Sequence, residues 1–154
     1  MTKSLWPDEI SVIEEVPPVS IFKEQAALLG EKTRNLVIAK VDTTISNRKR
    51  RFYDIFYLVA PILDNYRFEL FRGSRDIETF YPIQITSDTL EVDKEAMSEG
   101  ELLKVLSDIF VHPKTIKIIQ SMLVQSGWSP EENLSQNGGL QEIEIPLEED
   151  EIPL

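Results

Sequence analysis

The sequence predicts an α+β fold: an antiparallel meander of four or five strands packed with an N-terminal helix and two C-terminal helices. Three observations carry this. Between Asn35 and Val92 apolar residues recur with a period of two, the spacing of a half-buried strand. Asp64-Asn65 sits between two apolar arms, as a tight hairpin turn requires. On both sides of this stretch the period becomes helical, with capping and stop residues at suitable offsets.

Residues 1–19 read as an extended arm broken by Pro7, Pro17 and Pro18, with a short strand at residues 10–13 lying against the domain. Trp6 in the arm needs something to cover it. Ser20 is placed to cap a helix over residues 21 to about 32, whose stripe is Ile21, Phe22, Ala26, Leu28 and Leu29. Gly30 marks its end.

From Asn35 the alternation sets Val37, Ala39, Val41 and Thr43 on one face of a first strand that ends near Ile45. The polar connection that follows places Arg48, Lys49, Arg50 and Arg51 at a hairpin tip. The second strand, residues 52–60, is apolar on both faces and reads as an inner strand ended by Pro61. In the third, residues 66–71, Tyr66, Phe68 and Leu70 alternate against Arg67, Glu69 and Phe71. Gly73-Ser74-Arg75-Asp76 reads as a turn. A fourth strand over residues 77–85 contains Pro82, which makes it an edge or divides it, and residues 89–92 supply a short fifth.

Ser98 followed by Glu101 is a capping box for a helix buried through Leu102, Leu103, Leu106, Ile109 and Phe110. His112-Pro113 breaks that helix and starts another, with His112 a junction residue and Pro113 at the first helical position. Its stripe is Ile116, Ile119, Met122 and Leu123, and Gly127 stops it. Residues 20–127 therefore form one α+β domain. Residues 128–154 form an acidic, partly flexible tail in which Ile-Pro-Leu occurs twice.

The 154 residues are one domain's worth of chain, enough for a core without staples. With no cysteine and one histidine, neither a zinc site nor an imidazole–thiolate pair is expected, and no cofactor motif is present. The acidic first residues and short apolar runs exclude a leader or a membrane span, so a cytoplasmic location is expected. A net charge of −11 argues against general nucleic-acid binding, because phosphate neutralisation dominates such affinity. The charge is unevenly spread: residues 34–75 hold nine basic and four acidic side chains, whereas residues 127–154 hold eight acidic and no basic ones.

Arg48, Lys49, Arg50 and Arg51, joined by Arg67, Arg72 and Arg75, are therefore the candidate binding residues. The plainer alternative is that they only solubilise turns. Trp128, and Ile143 and Ile145 in the tail, are candidate apolar contacts, since an alternating acidic segment suits edge-strand addition or groove binding. These features lead to the expectation of a non-catalytic protein-binding module, such as a bacterial immunity protein, secretion chaperone or adaptor. Its partner would be another protein, including a second copy of the chain in a homodimer. A single-stranded nucleic-acid binder using the basic tip is the alternative, because aromatics are interleaved with the cations. A small hydrolase using paired carboxylates or a Ser-Lys pair is the third.

Overall fold

Proline rather than serine starts the first helix. The computed structural model describes residues 3–11 and 15–129, and in it α1 (Pro18–Lys32) has Pro17 at the N-cap and Pro18 at the first helical position. Ser20 lies inside the first turn, its N–H bonded to the Pro17 carbonyl. Proline suits this place because its fixed φ is helical and the N–H it lacks would have no intrahelical acceptor there. At the other end Arg34 and Asn35 are left-handed, and the Thr33 hydroxyl donates to the carbonyls of Leu29 and Val37. The first strand consequently begins three residues later than its alternation suggests.

Five strands follow: β1 (Ile38–Ser46), β2 (Arg51–Ala60), β3 (Tyr66–Asp76), β4 (Ile83–Ser87) and β5 (Val92–Ala96). They pair in sequence order, each antiparallel to the next. β2 is an inner strand and Pro61 ends it, opening a short 3₁₀ turn before left-handed Asp64 and Asn65. The helices are α2 (Glu99–Phe110) and α3 (Pro113–Gln125). The capping box forms: Ser98 Oγ accepts from the Glu101 N–H, and Glu101 Oε1 accepts from the Met97 N–H. His112 caps α3 through Nδ1, which accepts from the Lys114 N–H at 3.0 Å.

The three helices among the described residues lie on one face of the sheet. Phe22 of α1 meets Phe71, and Phe110 of α2 meets Phe56 and Phe71. Ile119 of α3 lines a groove together with Phe56 and Leu58 of β2. Within each helix the buried stripe is narrower than its apolar positions imply, since Leu103 and Ile116 are exposed while Thr115 is buried.

Four expectations change. Residues 73–76 are not a turn, because β3 runs on to Asp76, which pairs with Arg51, and Gly73, Ser74 and Arg75 pair with both neighbouring strands. The fourth strand starts only after Pro82, and the fifth begins at Val92, after a turn in which Glu91 is left-handed. Third, the pairing slips between Phe56 and Tyr57: Phe56 faces Phe71 and Tyr57 faces Glu69, so Leu70 is an extra residue in β3. This bulge reverses the alternation, and Phe71 turns to the helical face instead of sharing a face with Arg67 and Glu69. Fourth, the arm meets the domain only at its end among the described residues: Leu5, Trp6 and Ile10 are exposed, whereas the Val16 carbonyl accepts from the Tyr81 hydroxyl at 3.4 Å. The expected strand at residues 10–13 falls partly outside the described residues.

Gly73 explains why β3 continues where a turn was expected. A Cβ on Gly73 would stand 2.7 Å from Ile83 Cδ1 and 3.3 Å from the Phe22 ring, both of them buried. The glycine lets helix and sheet approach closely. Gly73→Ala is expected to destabilise the fold by about 1–3 kcal/mol through overpacking. Urea unfolding should show a lower midpoint at unchanged slope; an unchanged midpoint would mean that α1 shifts freely.

Candidate functional site

The candidate cations lie on the two central strands and the hairpin tip, and their fates follow from strand parity. On β2, side chains alternate between the helical face (Phe52, Asp54, Phe56, Leu58) and the opposite face (Arg51, Tyr53, Ile55, Tyr57, Val59). Among the described residues no helix covers the second face. Ile55 and Val59 are nevertheless buried there. Their cross-strand neighbours include Asp42 and Arg72 beside Ile55 and Arg67 beside Val59, and long charged side chains can cover apolar surface with their stems.

Three of the seven cations belong to this open face. Arg51 Nε donates to Ser74 Oγ at 2.9 Å. The Arg67 guanidinium lies 4.2 Å from the centre of the Tyr57 ring and pairs with Asp42 at 3.3 Å. Arg72 binds Glu69 through two 2.8 Å hydrogen bonds. Those bonds hold the Glu69 carboxyl below its ordinary range against an opposing effect of burial, and raise the Arg72 guanidinium. The face is thus a mixed surface whose described ion pairs are internally matched.

Arg75 is elsewhere. The bulge at Leu70 turns it to the helical side, where its Nε meets Asp54 Oδ2 at 3.4 Å, with the two side chains only 8% and 0% exposed. The Thr43 hydroxyl donates to the other Asp54 oxygen at 2.7 Å, and the Phe52 ring lies 4.5 Å from the guanidinium. Arg75 is therefore a core ion-pair member, not part of a binding surface. A buried guanidinium demands such a partner set.

The tip holds the remaining three. Lys49 N–H donates to Ser46 Oγ, and Arg50 adopts a left-handed backbone. The Ile77 N–H bonds the Arg50 carbonyl at 3.2 Å, and the Arg50 guanidinium pairs with Glu78 at 2.7 Å. The tip is thereby tied to the segment after β3. Arg48 and Lys49 are exposed and have no ion pair among the described residues.

Trp128 is half-buried, with Arg34 4.7 Å from its ring centre and its backbone N–H bonded to the Leu123 carbonyl. It seals the end of α3 against the loop after α1. Ile143 and Ile145 lie outside the described residues.

Sequence reasoning missed the Asp54–Arg75 pair and a second feature, an apolar groove between α1 and α3. A carboxylate inside an apolar strand was a signal for the first, because a buried charge needs a partner. No comparable local signal marks the groove. Among the described residues no group of three or more His, Asp or Glu side chains is placed to hold a metal ion, and no helix is long and apolar enough to cross a membrane. No protein-family model, curated protein or solved structure matches the chain.

Proposed function

We propose that this protein is a non-catalytic recognition module, of the immunity-protein, secretion-chaperone or adaptor kind, which docks an acidic segment of a partner protein at the basic tip and adjoining open sheet face. The observation that supports this is the pair Arg48 and Lys49, exposed and unpaired among the described residues, on a tip tied down by Arg50 and Ile77. Cations left unmatched on a chain of net charge −11 favour an acidic partner, and their attraction steers its approach. The adjoining aromatics are poor platforms for stacking bases, since Arg67 lies over Tyr57 and Arg75 over Phe52. Protein is therefore preferred over single-stranded nucleic acid.

The test begins with a photo-crosslinking residue at Thr44, which is exposed beside the tip and opposite Tyr53. A partner trapped in cells is then purified and its affinity measured. Arg48→Glu/Lys49→Glu is expected to weaken binding by about tenfold or more, mainly through a slower on-rate that converges with wild type at high salt. Lys117→Glu, on exposed α3 surface, should leave affinity unchanged. Equal binding by the tip variant overturns the reading, and tight, salt-sensitive binding of a single-stranded oligonucleotide instead would replace it.

A further inference from the structure

β1 is the long free edge of the sheet. It runs for nine residues without proline or glycine, its register against β2 is unbroken, and among the described residues no strand pairs with its outer side. An open row of N–H and C=O groups is a template for another strand, and proteins usually blunt it with a bulge, a proline, shortness or a run of charge. The opposite edge is blunted in this way: β5 has five residues, of which Asp93, Lys94 and Glu95 are charged in succession. β1 has no such run.

Two further features lie along the same edge. A cleft of about 320 Å³ runs between α1 and β1, lined by Ala26, Ala27 and Gly30 of the helix and by Ile38, Ala39 and Val41 of the strand. Ile45 shares the helical face with Ala39 and Val41, since it stands opposite Phe52 as Val41 stands opposite Phe56, yet it is 55% exposed. One edge thus carries both an apolar projection and an apolar recess.

We propose that two copies of the chain join through antiparallel β1 edges, with Val41 on the two-fold axis, so that their sheets become continuous. Charge selects this register. Centred on Val41, Lys40 of each copy stands opposite Asp42 of the other, so one complementary pair is made twice; centred on Lys40 or on Asp42, like charges would meet. The same register sets Ile45 of each copy opposite Val37 of the other and diagonal to its Ala39, at the cleft. Projection and recess are therefore each supplied by both copies, as an isologous interface requires. Asp42 meets Arg67 at 3.3 Å and is half-exposed, and a carboxylate can accept from a second cation. Long-range repulsion is weak, because residues 127–154 carry −8 of the net −11 and leave residues 1–126 at −3. The axis stands perpendicular to the sheet, so the helices of both copies stay on one side and both open faces stay uncovered. Association through β1 stands or falls independently of recognition at the tip.

The experiment measures the mass of the full chain by light scattering and sedimentation at concentrations from about 1 to about 500 μM. The mass is expected to rise from 17.7 kDa toward twice that value. Lys40→Glu and Asp42→Lys should each weaken association about tenfold or more, because each sets two like-charge pairs across the axis. Mixed in equal amounts the two variants should associate again, since every cross-axis pair between them joins opposite charges. Ile45→Glu should also weaken association while leaving the melting temperature of the dilute chain unchanged, because Ile45 is exposed there. Thermal melting checks that the charge variants are folded. A mass of 17.7 kDa over the whole range overturns the proposal and leaves the edge to another protein or to residues 130–154. A dimer that survives both charge variants, or a mixture of them that stays apart, overturns it as well.

Discussion

Asp54→Ala is expected to destabilise the fold by about 3–5 kcal/mol, because it removes one partner of a buried ion pair and leaves the other in place. Arg75 would remain on the helical side beneath Phe52, with its carboxylate gone and water largely excluded. The Thr43 hydroxyl would lose its acceptor as well. Against a total stability of about 5–15 kcal/mol this loss is large. The double replacement Asp54→Leu/Arg75→Met behaves differently: with both charges absent, no desolvated ion remains, and stability should return to near or above that of wild type. Urea unfolding of the single and double variants measures both values. A single variant within about 1 kcal/mol of wild type would show that water reaches the pair. The double variant also isolates function from stability. Arg75 lies on the helical side, so the proposed partner affinity at Arg48 and Lys49 should survive its loss.

What could be read from the sequence divides along a physical line. Local signals were sufficient where one segment decides its own state: the apolar run of β2, Pro61 ending it, the Ser98–Glu101 box and Pro113 opening α3 all stand as expected. The tip was legible for the same reason at Arg48, Lys49 and Arg50, which form a solvated turn, whereas Arg51 opens β2 and bonds Ser74 on the open face. Signals failed where the state depends on distant residues. Gly73 resembles a turn glycine until Phe22 and Ile83 are brought against it. The face on which Arg75 falls depends on the single extra residue at Leu70, and only pairing with Phe56 and Tyr57 reveals that slip. The groove was illegible because Thr115 and Ile116 exchange roles once α3 settles at its particular angle, and a one-residue rotation of a stripe leaves no trace in composition.

Phe71→Ala should rival the loss of Asp54 in magnitude, at about 3–5 kcal/mol, by opening a cavity where four rings meet. Phe71 is fully buried, stacked on Phe56 at 4.9 Å, edge-on to Phe22 at 5.1 Å and tilted against Phe110 at 6.2 Å. It joins α1 and α2 to the two central strands, so neighbours on three elements would have to move together to fill the space it leaves. Close-packed interiors relax only partly, and the residual void is what makes the loss exceed that of simple transfer. Phe71→Leu keeps much of the volume and should cost less than half as much. A double-mutant cycle between Phe22 and Phe71 adds a geometric test: the edge-on pair should show a coupling of about 0.5–1.5 kcal/mol. Were Phe71→Ala tolerated within about 1 kcal/mol, the bulge at Leu70 would not turn that ring inward. The inward placement of Arg75, which depends on the same reversal of parity, would fall with it.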